Sequence, residues 1–123
     1  MLNNLLLIFV GGGLGCVSRY LISKLTLQYY GGSFPLGTFI SNMLSCVLVA
    51  ILVYAFSIRL ELGSKALFLL LITGYCGGLS TFSTFSFETF ELLKQGHYLV
   101  ALLNILLSIS VGVGAMFILY KQN

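Results

Sequence analysis

Four long stretches without a charged side chain are the strongest constraint on how this chain folds. They cover residues 2–18, 25–58, 66–87 and 98–120, and only 7% of all residues are charged while 59% are hydrophobic. A helix needs about 20 predominantly apolar residues to cross the hydrocarbon core of a bilayer. The second stretch is too long for one crossing, and a turn signal, Gly-Gly-Ser-Phe-Pro at residues 31–35, divides it. The chain is therefore expected to lie in a lipid bilayer.

The predicted architecture is an all-α membrane protein with four transmembrane helices in a single domain, residues 1–123. The helices are expected near residues 3–25, 35–57, 66–92 and 98–120. Alternation of apolar and polar residues, as in transmembrane strands, is absent, which argues against a β-barrel. The first helix is not expected to be a cleaved signal, because it lacks a basic start and runs directly into Arg19 and Lys24.

The third stretch contains a segment that is polar and rich in glycine, Gly-Gly-Leu-Ser-Thr-Phe-Ser-Thr-Phe at residues 77–85. Inside hydrocarbon an unpaired backbone group is costly, so irregular backbone survives only where it is buried in protein or lines a wet cavity. The segment therefore predicts a broken third helix around an ion or an ion pathway. A plain packing face is the other interpretation, because small residues also allow helices to approach closely.

Small or polar residues recur at helical spacing in all four predicted helices and form one stripe on each. The stripes consist of Gly12, Gly15 and Arg19, of Thr38, Asn42 and Ser45, of Thr81, Thr84 and Glu88, and of Asn104 and Ser108. Residues three, four or seven apart lie on the same side of a helix. Four stripes favour a narrow hydrogen-bonding track through the membrane, although interhelical hydrogen bonds alone would give a similar pattern.

The chemistry of these residues indicates a small anion. Ser, Thr and Asn side chains can donate hydrogen bonds, Arg19 adds a fixed positive charge, and the positive ring edges of Phe82 and Phe85 can face an anion. Glu88 is the exception, and it can instead pair with a cation, accept from a hydroxyl or carry a proton. The residue combinations typical of covalent catalysis are absent from the sequence. Transport is therefore predicted, and enzymatic activity is not.

The three cysteines are expected to be packing residues. Cys16, Cys46 and Cys76 fall within predicted helices, and no Cys or His spacing typical of a metal site accompanies them. Neither a disulfide nor a cysteine-bound metal is expected.

The basic residues are distributed almost evenly between the two sides of the predicted bundle. One side holds Arg59, Lys65 and Lys121, and the other holds Lys24, Lys94 and, if it snorkels that way, Arg19. The Lys and Arg bias sets the orientation of a membrane protein, so a balanced chain can insert both ways. Two opposite copies could then pair about a two-fold axis in the membrane plane. A single fixed orientation is the alternative.

The chain resembles the Fluc or CrcB family of bacterial fluoride channels along its whole length. Three motifs carry the resemblance: Gly-Gly-Gly-Leu-Gly at residues 11–15 followed by Arg19-Tyr20, Gly37-Thr38 followed by Asn42, and the segment at 77–85. The third motif is the most specific. Two positions depart from the family pattern, which usually has tyrosine in place of Asn104 and glycine in place of Ser45.

The resemblance implies an antiparallel, dual-topology homodimer with two fluoride pores in the bacterial inner membrane. It also implies a structural Na⁺ at the dimer centre, held by backbone carbonyls of Gly77 and Ser80 from both copies. The fluoride pathway that it implies is formed by Phe82, Phe85, Asn42, Ser83, Thr84, Ser108 and Asn104. Arg19 and Glu88 are charged residues for which several roles remain open, and a nucleic acid partner is not implied.

A channel of this kind would lower cytoplasmic fluoride by passive export. Hydrogen fluoride enters a cell as the neutral acid and dissociates inside, and at a negative-inside potential each anion gains about 2.3 kcal/mol per 100 mV on leaving. A small dual-topology exporter that couples transport to protons through Glu88 is the alternative, although such exporters usually carry a glutamate in the first span. A membrane scaffold whose small residues serve only assembly is a third possibility.

Overall fold

The computed structural model of the chain describes residues 1–58 and 65–120. Their helices are α1 (Leu2–Tyr29), α2 (Leu36–Ile58), α3 (Lys65–Phe68), a π-helical segment (Leu69–Cys76), α4 (Gly77–Leu79), α5 (Phe82–Lys94) and α6 (Tyr98–Tyr120). No strand occurs in these two ranges. Arg59 and Lys121, which entered the comparison of basic residues, lie outside the described residues.

Four helical stretches are long and apolar enough to cross a membrane: Leu2–Tyr29, Leu36–Ile58, Lys65–Lys94 and Tyr98–Leu119. The third of them, which we call the third span, contains α3, the π-helical segment, α4 and α5. The prediction of an all-helical chain with four spans is confirmed. The chain is a multi-pass membrane protein.

Local sequence explains where the helices begin and end. α1 continues to Tyr29, beyond the boundary expected near residue 25, because the next turn-forming residues are Gly31 and Gly32. α2 begins directly after Pro35, whose ring suits a helix start because the first turn needs no backbone donor there. α5 ends at Lys94, two residues before Gly96, whose φ of 81° lies in the left-handed region that favours glycine.

The turn between α5 and α6 satisfies the last carbonyls of α5 with two backbone hydrogen bonds. Gly96 N–H donates to Leu93 O at 3.1 Å, and His97 N–H donates to Leu92 O at 2.9 Å. This pair of bonds is the Schellman motif, which requires a left-handed residue after the helix end. The motif turns the chain back within three residues, so that α5 and α6 pack against each other.

Glycines allow α1 to pack tightly against the π-helical segment and α4. A Cβ atom added to Gly11 would overlap the carbonyl oxygen of Leu70, and one added to Gly78 would overlap that of Gly12. Such close approach of backbones is the usual way in which transmembrane helices associate, because lipid provides no hydrophobic drive between them. α2 packs mainly against α6 on the other side of the bundle.

The buried side chains are as often polar as apolar. The buried apolar side chains are Cys76, Leu79, Leu92 and Ala101, and the buried polar side chains are Thr38, Ser41, Ser45, Thr89 and Asn104. Large apolar side chains lie on the outside instead, as expected for a surface that contacts lipid. The interior is therefore held together by close helix contacts and by hydrogen bonds.

Replacement of Gly15 by alanine is expected to lower the unfolding free energy by about 1–3 kcal/mol, the usual cost of forcing an extra methyl group into a full site. A Cβ at Gly15 would overlap the Tyr75 carbonyl oxygen and lie 2.7 Å from Leu79 N. Gly13→Ala is the matched control on the same helix, because nothing lies within 4 Å of a Cβ at that position. Thermal unfolding in detergent measures the stability of both variants. Equal stability of the two variants would contradict the packing described for α1.

Candidate functional site

Ser80 and Thr81 separate α4 from α5, and the backbone of both residues is extended. Their φ and ψ angles are −82° and 158° for Ser80 and −154° and 120° for Thr81. In a continuous α-helix, Thr81 N–H would donate to the carbonyl four residues before it. It donates instead to Asn42 Oδ1 in α2, at 2.7 Å. A side chain from another helix thus replaces a hydrogen bond of the third span.

Asn42 contacts the extended backbone with both ends of its amide group. Its Oδ1 accepts from Thr81 N–H, and its Nδ2 donates to Thr81 O at 3.3 Å. These two bonds fix the orientation of the amide. An amide nitrogen carries two hydrogens, so one N–H of Asn42 remains able to donate to a bound ion.

Arg19 contacts the same region from α1. Its Nε donates to Gly78 O at 3.1 Å, a carbonyl that would accept from Phe82 N–H in a continuous helix. The guanidinium therefore lies beside the extended residues of the third span. Sequence alone had left this position open.

Thr81 also forms the N-terminal cap of α5. Its Oγ1 accepts from Thr84 N–H at 3.2 Å, as a threonine in this position commonly does. The hydroxyls of Thr84 and Ser83 lie 3.1 Å and 3.3 Å from the same oxygen. Three hydroxyls thus lie together at the N-terminal end of α5, the end of a helix that favours negative charge.

Cys76 O accepts three hydrogen bonds, from Ser80 N–H at 3.0 Å, from Ser80 Oγ at 3.0 Å and from Ser45 Oγ at 2.8 Å. The carbonyl oxygens of Gly77 and Ser80 receive no such donor from residues 1–58 or 65–120. Carbonyl dipoles without a donor can take a hard cation such as Na⁺. No cluster of three or more His, Cys, Asp or Glu side chains suited to a metal is present in the described ranges.

A groove of about 290 Å³ lies beside the extended residues. Its lining consists of Asn42, Met43, Cys46, Ser80, Thr81, Phe82, Phe85, Ser108 and Ile109. The rings of Phe82 and Phe85 are 5.9 Å apart between centroids and tilted by 36°. Phe82 is 80% exposed in the single chain, so the groove is open along this edge.

The structure thus brings together at one groove four of the residues that the sequence assigned to a pathway: Asn42, Phe82, Phe85 and Ser108. The remaining members of that set, Ser83, Thr84 and Asn104, do not line it. Ser83 is exposed, and Thr84 contacts Thr81. Cys46, expected only to pack, is part of the lining.

Asn104 lies behind the groove and contacts two hydroxyls. It is 1% exposed; its Nδ2 donates to Thr89 Oγ1 at 3.0 Å, and its Oδ1 accepts from Ser108 Oγ at 3.4 Å. Thr89 in turn donates to Phe85 O at 2.8 Å. Thr89 was not among the residues predicted from the sequence, although its spacing of four residues from Phe85 was a usable signal.

Glu88 belongs to a different cavity. Its Oε1 accepts from Thr38 Oγ1 at 2.8 Å, and its Oε2 is buried without a hydrogen-bond partner from the described part of the chain. The cavity, of about 110 Å³, is lined by Glu88 together with hydroxyl-bearing residues that include Ser23, Thr26 and Tyr30. Glu88 does not line the groove beside Phe82.

The stripe on α2 faces the third span along its length. Thr38 donates to Glu88, Asn42 contacts Thr81, and Ser45 donates to Cys76 O. All three residues of this stripe therefore make interhelical hydrogen bonds. This is the pattern expected if the stripes serve only to hold the helices together. Asn42 does so while also lining the groove.

Comparison with known proteins gives the family. A sequence model of the family described as CrcB-like protein, Camphor Resistance (CrcB), matches residues 6–120 of this chain. The chain belongs to the CrcB family. The resemblance recognised from the three motifs is confirmed.

Several relatives of this CrcB chain are similar to it over most of their length. A protein of Leptospira interrogans is 45% identical over 115 residues, which cover 94% of this chain and 90% of the relative. A protein of Coxiella burnetii is 43% identical over 94% of this chain and 93% of its own length. A protein of Pyrococcus abyssi is 41% identical over 95% of this chain and 93% of its own length. Each is named fluoride-specific ion channel FluC, which describes a channel and not an enzyme.

Replacement of Asn42 by leucine is expected to destabilise the extended backbone of the CrcB chain. The change leaves the N–H of Thr81 without its partner, at a cost of about 1–3 kcal/mol. Amide hydrogen exchange at Thr81 should become faster, and the melting temperature should fall. Met43→Leu, an apolar exchange in the same groove, should change neither. Unchanged exchange at Thr81 in Asn42→Leu would show that the amide does not support this backbone.

Proposed function

We propose that the chain is a fluoride-selective channel that lowers cytoplasmic fluoride by passive export across the cell membrane. The observation that carries the proposal is the groove beside Ser80 and Thr81, where hydrogen-bond donors and two phenylalanine rings meet at an irregular stretch of the third span. The names of the relatives support fluoride as the ion. The membrane potential supplies the driving force, so neither ATP nor an ion gradient is needed.

The groove offers an anion several donors and no carboxylate. Asn42, with one N–H free, lines it, and the positive end of α5 begins there. The Ser108 hydroxyl also lines it and would donate to an anion after turning away from Asn104 Oδ1. The rings of Phe82 and Phe85 can turn their positive edges to the same anion. Fluoride is small and accepts hydrogen bonds strongly, so a narrow path of this kind suits it better than chloride.

The proposed pathway continues from the groove along the polar residues of α5 and α6. Ser83 and Thr84 are in the first turn of α5, and Asn104 holds the hydroxyl of Ser108 from behind. Arg19 adds a fixed positive charge near Gly78. These contacts make Asn104 a second layer of the pathway in this proposal.

The channel is proposed to be an antiparallel homodimer. In one copy the groove is open at Phe82, which is 80% exposed, so an anion there would face lipid on one side. Hydrocarbon penalises a charge strongly, and a second copy would supply the missing wall. The even distribution of basic residues supports two opposite orientations, and an axis in the membrane plane would give two such grooves.

A structural Na⁺ at the dimer centre is part of the proposal. Gly77 and Ser80 would hold it through the carbonyl oxygens that lack a hydrogen-bond donor, two from each copy. The ion would supply positive charge close to the two anion paths and would link the copies. The ligand atom at Ser80 would belong to the backbone, so the Ser80 side chain would not itself contact the ion.

The proton-coupled exporter is not favoured. The relatives are named as ion channels. Glu88, its proposed carrier, is held by Thr38 and lines a cavity separate from the groove.

Anion efflux from liposomes tests the proposed function. Purified protein is reconstituted, a potential is set with valinomycin, and fluoride and chloride release are followed with ion-selective electrodes. Fluoride should leave faster than from liposomes without protein, whereas chloride release should match that control. Equal release of both anions would refute selectivity, and no fluoride release would refute the channel.

Phe82→Ile and Phe85→Ile are each expected to reduce fluoride efflux by about tenfold, near the upper end of the ~1.5 kcal/mol that an aromatic contact contributes. Isoleucine keeps apolar bulk but removes the ring. Phe90→Ile is the matched control, since Phe90 is also on α5 and 53% exposed but is not part of the groove. Dimer assembly is checked by size-exclusion chromatography. Wild-type fluoride efflux in both variants would show that the two rings only pack and do not assist the anion.

Changing the balance of basic residues tests the antiparallel arrangement. Two lysines added after Asn123 should place that end in the cytoplasm in most copies. Fluoride efflux should then fall, because copies of the opposite orientation are missing. A second version with lysines added beside Gln95 and Gly96 should restore efflux when both are expressed together. Full efflux from the first version, with a single orientation confirmed by accessibility of a terminal tag, would rule out the antiparallel dimer.

A further inference from the structure

Ser45 makes a hydrogen bond that ties α2 to the point where the third span changes its winding. The side chain is 3% exposed, and its Oγ donates to Cys76 O at 2.8 Å. Cys76 is the last residue of the π-helical segment and immediately precedes Gly77. Of the three bonds that this carbonyl accepts, the one from Ser45 is the only one that comes from another helix among the described residues.

The carbonyl of Cys76 governs the orientation of the carbonyl that follows. Cys76 C=O and Gly77 N–H belong to one planar peptide unit. Its N–H already donates to Ile72 O and Gly74 O within the third span, and Ser45 adds a restraint on its oxygen from another helix. Only the two backbone torsions of Gly77 then orient Gly77 O, and glycine is the residue that restricts these torsions least. A restrained peptide before Gly77 therefore limits the orientations of Gly77 O, which a glycine residue alone would leave variable.

The same oxygen also holds Ser80. Ser80 donates to Cys76 O through both its N–H and its hydroxyl, at 3.0 Å each. One acceptor, held in place from α2, is thus connected to both residues whose carbonyls lack a hydrogen-bond donor.

We propose that Ser45 is a positioning residue that orients the carbonyls of Gly77 and Ser80 for cation binding. The inference rests on the Na⁺ site of the proposed function. Ser45 acts through Cys76 O and does not touch the cation. Loss of its hydroxyl should leave the fold in place and weaken Na⁺ binding.

Ser41 provides a control one turn earlier on α2. It is 0% exposed, and its Oγ donates to Gly37 O at 3.0 Å, within its own helix. Ser41→Ala therefore removes a buried hydroxyl from the same helix as Ser45→Ala, but it leaves the third span untouched. Ser45→Thr retains the hydroxyl, and Ser45→Gly removes it without leaving a methyl group.

The test is the melting temperature of the purified protein as NaCl replaces N-methylglucamine chloride at constant ionic strength. A cation that binds only the folded protein raises the melting temperature with its concentration. Ser45→Ala and Ser45→Gly should need about fivefold to tenfold more Na⁺ for the same rise in melting temperature, as expected for one lost hydrogen bond. Ser41→Ala and Ser45→Thr should respond at the wild-type concentration.

The outcomes separate the inference from the proposal on which it rests. A wild-type Na⁺ response in Ser45→Ala or Ser45→Gly, or an altered response in Ser45→Thr, would overturn the positioning role while leaving the Na⁺ site intact. A lower melting temperature in Ser45→Ala that rises with Na⁺ as in the wild type would make Ser45 merely structural. Absence of any Na⁺ response in the wild type would refute the cation site and this inference together, whereas fluoride efflux would still test the channel.

Discussion

The requirement that backbone polar groups find partners inside the membrane explains the arrangement around Thr81. In a helix the backbone N–H and C=O groups hydrogen-bond to each other. Where the chain departs from the helix these groups lose their partners, and water can replace them in a soluble protein but lipid cannot. Here side chains of other helices replace them: Asn42 contacts both polar groups of Thr81, and Arg19 contacts Gly78 O. The polar residues that sequence analysis marks as functional are therefore also the ones that permit the backbone to be irregular.

Because the same polar residues support the backbone and are predicted to bind the ion, their structural and functional roles are difficult to separate. Asn42 supports the backbone and also lines the groove. Asn104 connects Thr89 to Ser108, although only Ser108 lines the groove. A substitution at either asparagine changes both the shape of the groove and its donors, so activity alone cannot assign a role to them. Measurements of backbone exchange and of ion binding distinguish the two contributions.

Much of the fold follows from the sequence because charge is so sparse. The charge-free stretches predict the four spans. Helical spacing predicts that Thr38, Asn42 and Ser45 share a face, and all three residues of that face contact the third span. Spacing gives no information about partners in other helices. The contact of Arg19 with Gly78 O and the position of Asn104 behind Ser108 depend on how the helices cross. Thr89 was missed because one threonine beside a glutamate does not extend the stripe.

The π-helical winding of residues Leu69–Cys76 was not predictable either, since these apolar residues suit an α-helix equally well. It has a consequence for the tolerance of the chain to insertions and deletions. In this segment Gly77 N–H reaches back to Ile72 O, five residues away, so the segment holds more residues per turn than an α-helix. Loss of one residue here can be absorbed by rewinding the segment as an α-helix, whereas loss of one residue from α5 turns everything after it by about 100°. The apolar segment before Gly77 therefore tolerates a change of length better than the polar helix that follows it.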